Sequence, residues 1–431
     1  MGTLGINKSR IVYGEWIMNI VIVYPEPDVK RKPRFGFSYD MLLIATVLEE
    51  KHNVIIKDFS CEEYSDNWLM ELVQNISIDI ILVECDSFAL KRSQNIICAD
   101  KIIRSAQGCC KTIAYGNYCY ITQREFSCAD FTIKQNDINV IIDVVNSLDS
   151  FNKVRYYTVY DDLPYINRQK LLNIPFYNEH KNCTLIQTAK GCENTCIFCQ
   201  RKGWQSNYIT HSDEYVMQEV KLIKEQGFSE IWIIDENFSF NLVRAKRLMN
   251  SFIEKSLTDG MNIFISSWAN IDEEFLDLAA RANIKIISFG IETGNEKILQ
   301  FYKKNIQLNT IQHKIQYANQ KGIFTVGNFI IGAPMETRDT IQETFELIRK
   351  CQFDQINIKI LDYMIGSDLY NSLEDSIKKS DSVFACKENG LTTLSMEEMK
   401  TIKESFIKEY YSEHRNVIAK KIMQFGKPYS L

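Results

Sequence analysis

The stretch GCENTCIFCQ, residues 191 to 200, holds Cys192, Cys196 and Cys199 in a C-x3-C-x2-C spacing. Thiols this close together can serve one inorganic centre, and three chemistries compete for them. A structural zinc is closed by four ligands, commonly from two paired knuckles, and the chain offers neither a second C-x2-C nor a paired histidine. A dithiol redox pair uses Cys196 and Cys199 and leaves Cys192 idle. A cubane iron–sulfur cluster ordinarily takes four thiolates, so three leave one iron open to an external ligand.

The bulk numbers narrow the setting. Thirteen cysteines, an odd number without a secretory pattern, imply reduced thiols and a cytoplasmic protein. Most of them, Cys61, Cys85 and Cys351 among them, read as small core residues. The composition, 45% hydrophobic and 24% charged, is that of an ordered globular chain. A net charge of -5 supplies no general attraction for a polyanion, which disfavours nucleic acid as a partner. The basic run Lys30-Arg31-Lys32-Pro33-Arg34 reads as a solvated loop. No membrane span is expected, because the apolar run from Trp16 to Tyr24 is broken by Asn19 and stopped at Pro25. The Met-Gly start does not read as a myristoylation signal, since Ile6 stands where Ser or Thr is required. Residues 1–17 have no assigned role.

What must position the thiols is α/β in class. A length of 431 residues favours two domains. Over residues 18–150 short apolar runs such as NIVIVYP, NVIIKDF, DIILVEC and KTIAYG alternate with amphipathic helical stretches. That pattern predicts a Rossmann-like domain with a parallel sheet covered on both faces. Ligands of such sheets sit at the carboxyl ends of the strands, here the segments after Tyr24, Asp58, Cys85 and Tyr115. Residues 151–182 lack a sustained period and read as a linker. Residues 183–365 contain six further strands in strict alternation with helices, among them DEYVMQEVKLIKEQG capped by Ser212 and DTIQETFELIRK after Thr337. Six units are too few for a closed eight-stranded barrel and predict an open, TIM-type (β/α)6 partial barrel with its functional face at the carboxyl ends. The cysteine triplet follows the first of these strands. Residues 366–431 read as a helical region in which Ser395-Met396-Glu397-Glu398 makes a capping box and Met399, Ile402, Phe406 and Tyr410 form an apolar stripe that packs on the barrel.

Together these features resemble the radical S-adenosylmethionine superfamily, over residues 183 to 365. The resemblance rests on C-x3-C-x-φ-C with Phe198 as the aromatic residue, and on three later motifs. Asp235-Glu236-Asn237-Phe238-Ser239 resembles the segment whose backbone meets the methionine amine. Ser288-Phe289-Gly290-Ile291-Glu292-Thr293-Gly294 resembles the fourth-strand motif, and residues 327–337 resemble the fifth-strand segment beside the adenine. The resemblance implies a 4Fe-4S cluster on Cys192, Cys196 and Cys199. It implies S-adenosylmethionine near Phe198, Asp235, Glu236, Asn237, Ser267, Glu292 and Gly332. It also implies a 5′-deoxyadenosyl radical and a flavodoxin or ferredoxin-type electron donor. Trp268 stands where many relatives carry an arginine, so a contact there is missing or replaced by stacking.

A Rossmann-like domain before such a barrel is similar to the cobalamin-binding subgroup. That similarity implies cobalamin bordered by Phe88, Tyr115 and Gly116, and methyl transfer to an unactivated carbon of a natural-product intermediate or peptide. Two departures mark it: no Asp-x-His-x-x-Gly occurs, which many members of the subgroup also lack, and the usual double-glycine turn appears as the bulkier Tyr115-Gly116-Asn117-Tyr118, which stands against it. Dehydration, epimerisation, cyclisation or rearrangement with an empty first domain is the alternative, and a non-catalytic iron–sulfur or zinc protein a second.

Overall fold

The computed structural model describes residues 11–12, 15–25, 38–85, 94–148, 157, 159–174, 183–203, 207–378 and 380–424. Residues 1–185 and 186–431 form two compact units. Among the described residues no helix is long and apolar enough to cross a membrane.

The first unit is built on a five-stranded parallel sheet: β1 (Asn19–Tyr24), β2 (Asn53–Asp58), β3 (Ile80–Glu84), β4 (Lys111–Tyr115) and β5 (Phe131–Thr132). Its order is β2-β1-β3-β4-β5. The central strands are almost wholly buried, which is why they read as continuous apolar runs without alternation. Between strands lie α1 (Tyr39–Leu48), α2 (Trp68–Val73), α3 (Gln94–Ala106) and α4 (Asn117–Thr122), and α5 (Ile138–Ser147) closes the unit. Ser38 caps α1 by accepting from the Met41 amide, and its hydroxyl donates to the buried Glu84 at 2.6 Å. This order reverses direction between β1 and β3, the crevice where doubly wound sheets hold ligands.

The second sheet holds β6 (Cys183–Ile186), β7 (Glu230–Ile233), β8 (Asn262–Trp268), β9 (Ile284–Glu292), β10 (Phe324–Ile331) and β11 (Gln355–Ile360), neighbours in chain order. Between them run α6 (Asp213–Glu225), α7 (Leu242–Glu254), α8 (Glu273–Arg281), α9 (Glu296–Phe301) with α10 (Leu308–Gln320), and α11 (Arg338–Cys351). Strand periodicity sorts the side chains. Ile287, Phe289 and Ile291 of β9, Phe329 and Ile331 of β10, and Ile356 and Ile358 of β11 join the helices in one large core. The alternate residues, among them Ser288, Gly290, Asn328 and Asn357, are only partly buried and line the inner face. Ser212 and Thr337 accept from the Tyr215 and Thr340 amides and so start α6 and α11.

Beyond the sheet come α12 (Asp368–Asn371) and the long α13 (Met396–Gln424). Ser395 and Glu398 exchange reciprocal bonds at the start of α13, the predicted capping box. Its stripe of Met399, Phe406 and Tyr410 is buried in the barrel core, with Ile402 packed against it. Phe406 stacks on Phe345 of α11 at 3.8 Å, and the Tyr410 hydroxyl donates to the Phe353 carbonyl at 2.6 Å.

Candidate active site

The cysteine loop leaves the carboxyl end of β6 and is tied at both ends by residues that follow β7. Asp235, buried, accepts from the Thr188 amide (2.7 Å), the Ala189 amide (3.0 Å) and the Thr188 hydroxyl (2.5 Å). The buried Arg244 of α7 donates to the Thr188 hydroxyl and carbonyl and to the His211 carbonyl, completing the anchor. Glu236 then spans the loop: it accepts from the Gly191 amide at 2.9 Å and pairs with Arg201 at 3.1 Å, one residue before Cys192 and two after Cys199. Gly191 has φ +87°, a left-handed turn that favours glycine. Inside the loop the Ile197 amide donates to the Tyr302 carbonyl, and the Ile197 carbonyl accepts from the Leu369 amide.

All three thiols are free of disulfides. Burial pushes Cys196 up to about 12, opposed by the Lys304 ammonium beside it, and pushes Cys199 up against the pull of Arg201. Without metal Cys196 and Cys199 are neutral, so loading iron on them must expel protons. Among the described residues no group of three or more His, Cys, Asp or Glu could hold a single metal ion. A four-iron cluster gives each thiolate its own iron, and three thiols on one loop leave its fourth iron open.

Facing the loop is a buried ion pair. Glu292 ends β9 with φ +75°, a left-handed conformation uncommon for a residue with a side chain, at an irregularity in the β9–β10 register. Its carboxylate accepts from Lys304, whose side chain is 2% exposed. The ammonium also lies over the Trp268 ring, 4.5 Å from its centre. Gly290 makes room for the pair: a Cβ there would come within 2.8 Å of Glu292 Oε1 and 2.9 Å of Lys304 Nζ. Trp268 thus holds against its indole a lysine delivered from a different part of the chain.

The remaining expected residues fall around this pair. Asn237 accepts from the Trp268 amide (3.1 Å) and from Ser239, whose hydroxyl meets that of Ser267 at 2.6 Å. Asp235 and Ser267 have their side chains engaged within the protein and Asn237 uses its Oδ1 there, which leaves Asn237 Nδ2 and the remaining backbone groups of 235–239 as what that segment can present. Phe198 packs edge-on against Tyr302 at 5.1 Å. Tyr302 is fully buried and its hydroxyl has no hydrogen-bond partner among the described residues, an orphan donor beside the cysteine loop. Gly332 has φ +103°, and a Cβ there would approach Met399 Sδ to 3.2 Å. The buried Glu336 accepts from the Gly332 and Ala333 amides and holds the turn. In the first unit Tyr115 is wholly buried, its hydroxyl donating to Glu84 at 3.0 Å, so its ring is not offered to a ligand. Gly116 has φ +112° and lies against the Cys85 backbone, where a Cβ would sit 2.9 Å from the Cys85 oxygen. Phe88 lies outside the described residues.

Sequence reasoning missed Lys304, Tyr302, Arg201, Arg244 and Glu336. Glu336 lay within a motif already marked. The others carry no spacing signal, because what matters is which of several similar residues the chain turns inward.

A parallel-sheet domain followed by an open six-unit β/α barrel with a thiol loop at its mouth defines the class of protein: a partial-barrel enzyme. Residues 186–348 match the model of the radical SAM superfamily. An uncharacterised methyltransferase of Pyrococcus horikoshii is 22% identical over 82% of this chain and 83% of its own length. A cytidylyl-2-hydroxyethylphosphonate methyltransferase of Streptomyces wedmorensis is 29% identical over 43% of this chain, and the match spans only 36% of that protein. Among solved structures, the methyltransferase TsrM of Kitasatospora setae, with cobalamin and a [4Fe-4S] cluster bound, superposes with a TM-score of 0.68 at 15% identity over 82% of this chain and 74% of its own. The cobalamin-dependent enzyme OxsB superposes with a TM-score of 0.67 at 13% identity, over 87% of this chain and 65% of its own.

Proposed function

We propose that this radical SAM enzyme transfers a methyl group to an unactivated carbon of a natural-product intermediate or peptide, with cobalamin held by its first unit. The observation that carries the reading is the β2-β1-β3-β4-β5 parallel sheet ahead of the barrel, in a fold shared over most of this chain with a methyltransferase solved with cobalamin bound and with a cobalamin-dependent enzyme.

In this reading Cys192, Cys196 and Cys199 hold the cluster, the backbone of 235–239 and Phe198 place the methionine end, and Glu292, Lys304 and Gly332 line the nucleoside side. When bound, these groups supply one-electron cleavage of S-adenosylmethionine and a carrier for the methyl group. The chain's own residues fix the thiols, exclude water through the Phe198–Tyr302 packing, and keep a compensated charge pair beside the open position. The electron comes from a flavodoxin or ferredoxin-type donor. Corrinoid contacts would fall at the carboxyl ends of β1 and β3, and the loops there, residues 26–37 and 86–93, lie outside the described residues.

One observation favours a second reading, in which the radical acts without cobalamin: Gly116 is pressed on Cys85 and Tyr115 is buried, so these described residues at the β4 end offer no cradle of their own. Anaerobic reconstitution with iron and sulfide, followed by titration with hydroxocobalamin, separates the two. Stoichiometric corrinoid uptake supports methyl transfer, and refusal of it removes that assignment in favour of the corrinoid-free chemistry. Reductant plus S-adenosylmethionine should give 5′-deoxyadenosine, and replacing the three cysteines by Ala should abolish it. Persistence of cleavage in that variant would contradict the cluster assignment.

A further inference from the structure

Strand register arranges the inner face of the second sheet in rows. Trp268, Gly290, Asn328 and Asn357 stand opposite one another on β8 to β11, and Ile330 stands opposite Lys359 two residues nearer the carboxyl ends. Because the Glu292–Lys304 pair occupies the space over Gly290, the row reads indole, ion pair, carboxamide, carboxamide. Closed barrels of this type fill their interiors with branched apolar side chains. A half-exposed carboxamide row contributes no packing that valine or isoleucine would not, so its composition calls for another reason.

The hydrogen bonds have a fixed direction. Asn328 Nδ2 donates to the Phe289 carbonyl at 3.0 Å and to Ser288 Oγ at 2.9 Å. A carbonyl can only accept, which settles the orientation of the Asn328 amide and points its Oδ1 at Asn357. Asn357 Nδ2 donates to that oxygen at 3.1 Å, and Asn357 Oδ1 faces Gln355 Nε2 at 3.4 Å. One N–H of Asn357 is left over. Lys359 follows on the same face of β11, roughly 7 Å further along the strand. It is exposed and has no ion-pair partner among the described residues. The row therefore ends in uncommitted donors, an amide N–H and an ammonium, two strands from the pair that faces the cysteine loop.

We propose that Asn357 and Lys359 form a subsite for the carboxylate of a small-molecule ligand, whose carbon skeleton then lies along Asn328 toward the Glu292–Lys304 pair. A carboxylate between the two residues accepts from both, and Lys359 supplies the charge-assisted bond. Naming this ligand the substrate rests on the radical SAM reading; the binding itself does not.

The test is a ligand-detected NMR titration of the full chain with N-acetylglycine, its neutral analogue N-acetylglycinamide, and inorganic phosphate. Binding of the carboxylate at least about tenfold tighter than the amide, abolished in Lys359→Met and kept in Lys359→Arg, is the expected result. Asn357→Leu should weaken the carboxylate by a smaller factor, about three- to tenfold. Equal affinity for the carboxylate and the amide, wild-type affinity in Lys359→Met, or no binding at all overturns the subsite. Phosphate competing as well as the carboxylate overturns the carboxylate assignment. None of these arms requires a cluster, so failure here leaves the cysteine-dependent cleavage assay untouched, and failure of that assay leaves the subsite standing.

Discussion

Lys304 shows what one residue can decide. Its ammonium is shared between the Glu292 carboxylate and the Trp268 ring and lies beside Cys196. Replacing it with Met leaves a buried, uncompensated carboxylate at a strained backbone position, a loss of about 3–5 kcal/mol. We expect Lys304→Met to lower the thermal midpoint and to reduce 5′-deoxyadenosine formation by more than tenfold, while the double variant Glu292→Gln/Lys304→Met recovers stability without activity. Additive stability losses in that cycle would show that the two side chains are not coupled. The three cysteines, Glu292 and Gly332 were legible in the sequence because each stands in a motif of fixed local spacing. Lys304 was not: it follows Lys303, a residue of the same type, and only the left-handed turn at Lys303, φ +54°, determines which of the two points inward.

Among the elements, the cysteine loop depends on a neighbour more than on itself. Glu236 joins its two ends through the Gly191 amide and Arg201. Glu236→Gln keeps an acceptor for Gly191 but loses the charged partner of Arg201, a loosening on the order of 1 kcal/mol for a partly exposed pair. The expected outcome is faster bleaching of the cluster absorbance under chelator, with wild-type iron content immediately after reconstitution. A wild-type bleaching rate would reduce the clamp to an incidental contact. At this scale the sequence was most informative. Strands and helices were legible from period, and the starts of α6, α11 and α13 from Ser212, Thr337 and Ser395, because capping is local. The clamp was hidden because it joins residues 45 positions apart.

For the whole molecule, Asp235 links stability to pH. Burial pushes its carboxyl up to about 6 despite three donors and Arg244 nearby. The unfolded chain releases that proton near pH 4. The folded state therefore holds a proton that the unfolded chain has lost between pH 4 and 6. Stability from this group is complete below about 4 and disappears as pH rises through about 6, by on the order of 3 kcal/mol. Thermal midpoints at pH 5 and 7 should accordingly differ more in the wild type than in Asp235→Asn. Equal differences would mean that the carboxyl titrates normally. The α/β architecture was legible from length and alternation, since burial on both faces of a parallel sheet leaves an apolar run that water would not tolerate elsewhere. The pH dependence was not, because it arises from desolvation that only the folded chain imposes.

The missing side chain at position 290 has one further consequence. Truncating Lys304 to Ala would leave a void bounded by the Gly290 backbone, the Glu292 carboxylate and the Trp268 ring, open to a guest the size of the lost propylammonium arm. Such a vacancy invites chemical complementation: added ethylammonium or propylammonium should restore part of the cleavage activity of Lys304→Ala, whereas tetramethylammonium, which has no N–H to donate, should not. The same amines should do nothing for Gly290→Ala/Lys304→Ala, in which the new methyl group takes up the vacated space.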